Sequence, residues 1–570
     1  MRIIRQTGWT GLFTYCSAAV MAAGMSFMTA PAQAAYELPE GERITHVGAV
    51  ARSIPNKEEY ELYDPKIGKN FDLSKFWIRG DLRVRPIMRN NVCFGSVFTG
   101  TRGACNTPNT GTTPNGQPGQ QNDFYAQQLT RLGIGYDLSP DVNFYMELQD
   151  SRTWGGNGTN GLEGTQDDAR NQNGCQATNN RGTISTNNGG GNCSTLGVRA
   201  AYMLIRNFAG LQGLSVKAGR QYVVFGNQSL FGAFDWSNTG ISHDGVMLQY
   251  STKAWDTYGG WFRTSESDLG QAVPVGAQGS NIGPSTVNNG NGSQDSDIFL
   301  FYNQIKSVPG FIIEPYYFLY SNRYNSFDNQ SQGLGTPRHS NQTRHNVGGR
   351  IEMREGNFDA ISETLYQFGQ MGDTGGPFGA GYGNQKYLHI SAWATRNWIG
   401  YTHYEWAWKP RLAFNFDYAS GDGRANCTFG GSTTGCSTAN TFENMYPTNH
   451  MHMGYMDLQA WKNMMSPSVN LQFRPTKDDH IEIWATSLNL ANTKDNWYRA
   501  TQGVYVYSKA NNTKRHVGDE IDFAWTHMFM NGMLSFQAVS GHMFAGGYIQ
   551  ENLGTSVDQD WAYAQLWINF

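Results

Sequence analysis

Arg79, Asp81, Arg83 and Arg85 stand at every second position of one stretch, while Ile78, Leu82, Val84 and Met88 share the other parity. A guanidinium keeps its charge at any physiological pH and grips carboxylates with parallel donors, so a row of them on one face favours anions. Similar stretches add Arg131, Arg199, Arg350 and Arg354 to the basic set, and Glu147, Glu352, Asp417, Glu482, Glu520 and Asp522 to the acidic one. Arg220 joins the basic candidates from a stretch, 214–225, that changes parity along its length. The chemistry available to such rows is electrostatic selection of a solute. The acids make the lining mixed, and each residue taken singly also reads as an ion-paired wall position.

Covalent and metal chemistry find less support. The chain has no Gly-x-Ser-x-Gly elbow, no His-Glu-x-x-His and no phosphate-binding loop, so a non-enzyme is expected. A Ser/His pair joined across neighbouring strands, as in lipid-modifying barrels, is the enzymatic alternative that spacing leaves open. His450 and His452 lie two apart and could aim both imidazoles at a metal, but no third ligand accompanies them, and polar loop surface is the simpler reading. No Cys-x-x-Cys-His occurs for covalent haem, and no cofactor or metal is expected. Cys93 with Cys105, Cys175 with Cys193, and Cys427 with Cys436 fall as local couples in Gly/Asn/Thr-rich segments. That pattern suggests three loop-stapling disulfides formed in an oxidising compartment.

Rows of charge need extended chain to display them. Leu132, Ile134, Tyr136 and Leu138 oppose Arg131, Gly133, Gly135 and Asp137; Val142, Phe144, Met146 and Leu148 oppose Asn143, Tyr145, Glu147 and Gln149. Leu412, Phe414, Phe416 and Tyr418 oppose Asn415 and Asp417 in the same way. Period-two alternation places the two sets on opposite faces of a strand. Compact turns at Leu138–Asp141, Ser307–Gly310 and Asn531–Gly532 alternate with long connections at 91–122, 154–195, 267–294 and 421–449. Short turns on one side and long loops on the other are the arrangement of an outer-membrane barrel. The segmentation gives nineteen starts, and joining those near 384 and 399 into one strand leaves eighteen. The fold expected is all-β, a single transmembrane antiparallel barrel of about eighteen strands with long extracellular loops and short periplasmic turns.

Composition agrees with that expectation. Of 570 residues 15% are charged, against about 25% in ordinary soluble domains, while aromatics reach 13% and glycines number 68. No run after the N-terminus approaches the roughly 18 apolar residues of a membrane helix. A net charge of −4 without a basic block argues against nucleic acid as a partner. Arg2 and Arg5, an apolar stretch from Trp9 to Met28 and Ala32-Gln33-Ala34 read as an export signal cut after Ala34. The expected organisation is a signal peptide at 1–34, a periplasmic lead-in at 35–75 and a barrel at 76–570. The last stretch, Trp561 to Phe570, alternates and ends in an aromatic, which looks like the assembly signal of bacterial outer-membrane barrels. Trp484, Trp561, Tyr563 and Trp567 fall on lumen parity, where they could stack on sugar rings, with interfacial girdles as the plainer role for aromatics generally.

The stretch Thr441-Phe442-Glu443-Asn444-Met445-Tyr446-Pro447-Thr448-Asn449-His450, continued by Gly454-Tyr455-Met456-Asp457 and then Trp461 and Asn463, resembles the alginate-export outer-membrane porins. Gly219-Arg220-Gln221 with Asp235, and Val517 to Asp522, support the likeness, which runs over roughly 76–570. The resemblance implies an eighteen-stranded barrel whose arginine-rich constriction, with Arg79, Arg131, Arg220 and Arg350 as pore-lining charges, passes an anionic polysaccharide without ATP or a covalent step. The expected surroundings are outer-membrane lipid, an anionic oligo- or polysaccharide or small organic anion as cargo, and, for export, a periplasmic partner. The alternatives are a general or uptake porin of low selectivity and a loop-based binding or adhesion protein mounted on a plugged barrel.

Overall fold

The computed structural model describes residues 75–92, 94–95, 122–154, 197–238, 240–265, 296–322, 342–372, 387–423, 438–448, 450, 452–500 and 504–570. The expected export signal, nearly all of the lead-in and Cys93, Cys105, Cys175, Cys193, Cys427 and Cys436 lie outside these residues.

Alternation of apolar and polar residues produces the strands in chain order. The first are β1 (Phe76–Asn90), β2 (Asp123–Ser139), β3 (Val142–Thr153), β4 (Gly197–Ile205), β5 (Leu214–Gln221), β6 (His243–Ser251) and β7 (Trp255–Ser265). Then come β8 (Ser296–Ile305), β9 (Phe311–Asn322), β10 (Gln342–Glu355), β11 (Phe358–Gly372), β12 (Tyr387–Thr402), β13 (Arg411–Ala419) and β14 (Thr438–Ala439). The last are β15 (Met464–Phe473), β16 (Asp479–Leu490), β17 (Trp497–Tyr498), β18 (Val504–Val506), β19 (His516–Phe529), β20 (Leu534–Ala545) and β21 (Gln559–Asn569), with a short helix α1 (Gly547–Leu553) before β21.

Eighteen of these strands form one antiparallel barrel, which β21 closes by pairing with β1 from Asp81↔Asn569 to Asn90↔Asp560. The two-residue β14 lies parallel beside β12, and β17 pairs with β18 as a separate hairpin. The expected starts near 384 and 399 are indeed one strand, β12. Closure leaves no open sheet edge, the condition for a β-protein to cross hydrocarbon. At the seam Gly80 and Phe570 exchange backbone hydrogen bonds at 2.9 Å in both directions. A Cβ on Gly80 would lie 2.6 Å from the Phe570 ring, so glycine is what lets that ring lie against β1.

The outer face is apolar and exposed. Along β13 the lipid-side Leu412 and Phe414 are exposed while Arg411, Ala413, Asn415 and Asp417 are buried inside. In water, exposed apolar area costs about 25 cal/mol per Å² relative to burial, a penalty absent against hydrocarbon. Phe76, Trp255, Phe358, Trp406, Trp408 and Phe529 lie exposed toward the short-turn end, as in an interfacial aromatic girdle. Among the described residues no helix is long and apolar enough to cross a membrane. Inside, the core consists of clusters in which strand residues such as Phe262, Phe318 and Trp561 meet residues from two inter-strand segments.

Candidate functional site

Two segments turn inward from the long-loop end. One follows β5 (residues 222–242) and the other follows β14 (residues 440–463). They join through Gly232 N–H to the Tyr446 carbonyl at 2.9 Å, Tyr446 N–H to the Leu230 carbonyl at 3.1 Å and Thr448 N–H to the Gln228 carbonyl at 3.0 Å. Rings complete the junction: Trp236 stacks on His450 with centroids 3.7 Å apart and planes at 4°, and Phe231 stacks on Tyr446 at 6.1 Å. His450 also meets the Asp457 carboxylate at 2.9 Å, and His452 meets the Asn227 carbonyl at 2.9 Å. These imidazoles are therefore buried supports with separate partners, which corrects their reading as polar loop surface. Among the described residues no group of three metal-ligating side chains occurs.

The wall formed by β1–β4 holds the first segment through arginine. Arg83 donates to the carbonyls of Asp235 (2.6 Å) and Ser237 (3.3 Å), and Arg85 donates to the Trp236 carbonyl (2.9 Å) with its guanidinium 3.5 Å from the Trp236 ring centroid. Arg131 bridges Asp81 and Asp235, each at 2.9 Å. Arg199 donates to the Ala233 carbonyl at 2.8 Å and to the Ser242 hydroxyl at 2.7 Å. Glu147 accepts from Arg79 at 3.0 Å, from the Tyr145 hydroxyl at 2.5 Å and from the Tyr222 hydroxyl. Of these guanidinium groups Arg79 keeps the most accessible side chain, at 26% exposed, beside a buried Arg199 and Arg131.

The facing wall carries a second ion-pair set. Arg350 pairs with Glu314 and Glu352, and Glu352 also accepts from Arg354 at 2.9 Å. Arg396 reaches Asp417 at 3.1 Å and the Ser229 hydroxyl at 2.9 Å, tying the first segment to β12. Gln367 on β11 donates to the Glu443 carbonyl at 2.7 Å, and Lys462 pairs with the Glu443 carboxylate at 2.6 Å. On the third side Asp522 accepts Tyr455 N–H (3.1 Å), Glu520 accepts Met456 N–H (3.0 Å) and Glu482 accepts the Tyr455 hydroxyl (2.9 Å). This approach requires Gly454, whose φ is +89° and whose Cβ would lie 2.2 Å from the Glu520 carboxylate.

The structure thus brings Arg79, Arg83, Arg85, Arg131, Glu147 and Arg199 together on one wall, Arg350, Glu352 and Arg354 on another, and Glu520 and Asp522 on a third. Arg220 is a correction. It pairs with Asp244 at 2.6 Å in register across β5 and β6, and Asp244 shares the outward parity of the exposed Leu248 and Tyr250. Paired residues in register share a face, so Arg220 points away from the lumen. Sequence reasoning named Asp235 and Glu443 only within the family-like motifs and not as partners of the wall, and it missed Trp236 and the wall residues Glu314, Arg396 and Glu363, whose carboxylate accepts from the Tyr316 hydroxyl at 3.0 Å. The strand members follow period two and were findable; the segment residues lie in irregular chain, where no periodicity marks a side. Trp484, Trp561, Tyr563 and Trp567 all lie buried on the inner parity, and Trp484 meets Trp398 edge-on at 5.4 Å.

The family model described as alginate export matches residues 117–563. No curated protein matches the chain. Among solved structures, Acinetobacter baumannii OccAB1 aligns with a TM-score of 0.48 at 12% identity, covering 90% of this chain and 99% of that one. Pseudomonas aeruginosa OpdL aligns with a TM-score of 0.47 at 8% identity, covering 87% and 99%. Pseudomonas aeruginosa OccK9 (OpdG) gives 0.47 at 9% identity, covering 87% and 98%.

Proposed function

The chain belongs to the alginate-export family, and on that premise we propose that it passes an anionic saccharide or another organic anion by passive diffusion through a pore whose β1–β4 wall supplies the selecting charge. The protein is an outer-membrane barrel of the porin or export-channel kind. No covalent step or ATP enters the proposed mechanism.

The charge balance of the arginine wall carries the reading. Arg79, Arg83, Arg85, Arg89, Arg131 and Arg199 accompany Asp81, Asp137, Glu147 and Asp235, so guanidinium groups outnumber carboxylates there by six to four. Fixed positive charge held by low-dielectric walls raises the local concentration of anions and lowers their barrier to entry. Most of these groups also hold the first inward segment against the wall, so one set of contacts narrows the lumen and charges its narrowed side. Arg79, more accessible than Arg83, Arg85, Arg131 and Arg199, is the group a passing carboxylate would meet.

Addition of an oligo-uronate to single channels in a planar bilayer tests this. Block at the conductance step, with no block by a neutral oligosaccharide of equal length, is the expected outcome; equal block by both would count against the anionic cargo. A second reading, a general porin of low selectivity, draws on the β9–β13 wall, where the carboxylates of Glu314, Glu352, Asp359, Glu363 and Asp417 are balanced by the guanidinium groups of Arg344, Arg350, Arg354, Arg396 and Arg411. The same experiment separates the two.

A further inference from the structure

The outer face of β5 to β8 carries a row of charge toward its long-loop end. Strand register aligns Arg220 with Asp244, Asp244 with Arg263 and Arg263 with Asp297, one residue from each of four neighbouring strands. Residues paired in register share a face, and this one is the outward face, because Leu248, Trp261 and Phe299 stand exposed at the same parity. The sign alternates along the row. Within the chain Arg220 pairs with Asp244 at 2.6 Å and Arg263 with Asp297 at 2.9 Å, and the Trp261 indole also donates to Asp297 at 3.0 Å.

Two rows nearer the short turns, the same register aligns Leu248 with Gly259 and Gly259 with Phe301. Leu248 and Phe301 are both exposed. A Cβ built on Gly259 would meet no atom within 4 Å, so the glycine leaves an open notch between two projecting apolar side chains.

We propose that this face joins two copies of the chain about a two-fold axis that runs along the membrane normal between β6 and β7. Turning the face about that axis sets Asp244 of one copy opposite Arg263 of the other, and Leu248 of one copy opposite the Gly259 notch of the other, each contact occurring twice. One axis therefore satisfies both the charge pattern and the shape. Strands of such barrels tilt by about 35–45°, so residues one strand apart differ in height by only about 3 Å, well within the reach of an arginine. Arg220 and Asp297, three strands apart, differ by about 9 Å and stay with their own in-chain partners. A guanidinium has five donors and a carboxylate about four acceptor sites, so the new pairs add to the old ones without replacing them. The alternation also favours a second copy over a phosphorylated lipid head group. A phosphate calls for cations alone, whereas two cations and two carboxylates in alternation offer it no net attraction and complement themselves when reversed. The inference goes beyond the cargo reading and is independent of it.

Photobleaching of the singly labelled full barrel in lipid vesicles, at low protein density, counts the copies in each particle. Two-step bleaching is the expected majority for the parent. Asp244→Arg sets like charges against each other at the centre and should weaken the dimer at least about tenfold. Combining Asp244→Arg with Arg263→Asp restores opposite charges across the axis and should recover two-step bleaching, a rescue that simple misfolding would not give. Gly259→Trp fills the notch, leaves every charge in place and should give one-step bleaching; heat-modifiable migration certifies that each variant is folded. One-step bleaching of the parent, with or without phosphorylated glycolipid bound to it, would overturn the proposal. So would two-step bleaching that persists in folded Gly259→Trp, or a folded double variant that fails to recover it.

Discussion

The indole of Trp236 lies flat on the imidazole of His450, with centroids 3.7 Å apart, and this contact locks together two segments that begin more than two hundred residues apart in the chain. The Arg85 guanidinium packs on the same indole at 3.5 Å and fastens the junction to the barrel wall. Trp236→Ala removes both interactions, at a cost of up to about 3 kcal/mol, the low end for Trp truncations because the indole is only partly buried. The expected result is a barrel that still migrates as folded on unheated gels but conducts in larger and noisier steps. Unchanged conductance in single-channel records would mean the two segments do not set the opening.

Arg131 sits between two carboxylates, and its loss should expose what holds the first segment in place. Arg131→Ala leaves the half-buried Asp81 and the buried Asp235 without their shared partner, Asp235 keeping Arg199 at 3.7 Å, a loss of up to about 3 kcal/mol. Adding Asp235→Asn should restore part of the stability by removing one of the stranded charges. Denaturant titrations of the single and double variants give the coupling directly, and strict additivity would contradict the bridging role.

The seam between β1 and β21 depends on a missing side chain. Gly80→Val places carbon atoms within the space of the Phe570 ring, and overpacking of this kind costs about 1–3 kcal/mol. A lower yield of folded barrel is expected from Gly80→Val, with Gly80→Ala intermediate, measured by the heat-modifiable fraction after refolding. Equal yields for all three chains would show that the ring can move aside at no cost.

Beyond β16, Asp495 accepts Asp422 N–H at 2.8 Å, the Thr441 hydroxyl at 2.6 Å and the Tyr498 hydroxyl at 2.7 Å. Burial pushes its carboxyl above the ordinary value, and the hydrogen bonds only partly oppose that shift. A folded-state value above the unfolded one means that stability is fully present below the unfolded value and declines as pH rises through the folded one. Asp495→Asn removes this titration. The difference in thermal midpoint between variant and parent should therefore move in the variant's favour from pH 4 to pH 7. A constant difference would refute the raised carboxyl.

How much of this was legible in the sequence depends on periodicity. Strands such as β1 and β13 carry a strict two-residue alternation imposed by lipid outside and polar partners inside, so their count and inward residues could be read from Ile78/Arg79 or Leu412/Asn415 alone. Arg220 was misplaced where the alternation is interrupted: Gly219 has φ +123° and its Cβ would lie 2.3 Å from the Ala201 carbonyl, so β5 is irregular just before the arginine. The stretch Thr441 to Asn463 was recognised by its residues but not by its position. Its burial comes from Glu482, Glu520 and Asp522 on distant strands, and such long-range pairing leaves no local mark.

The outward position of Arg220 supplies an internal control for selectivity. Its side chain is 34% exposed and pairs with Asp244 on the outer face. Arg220→Ala should leave ion preference close to the parent, and a shift in ion preference would return this residue to the pore.

The most direct test of the account is the reversal potential of single channels under a salt gradient, compared across the parent, Arg79→Ala and Arg220→Ala. Anion preference in the parent, reduced in Arg79→Ala and retained in Arg220→Ala, is the result the arginine wall requires. Cation preference in the parent, or one reversal potential common to all three, would contradict it.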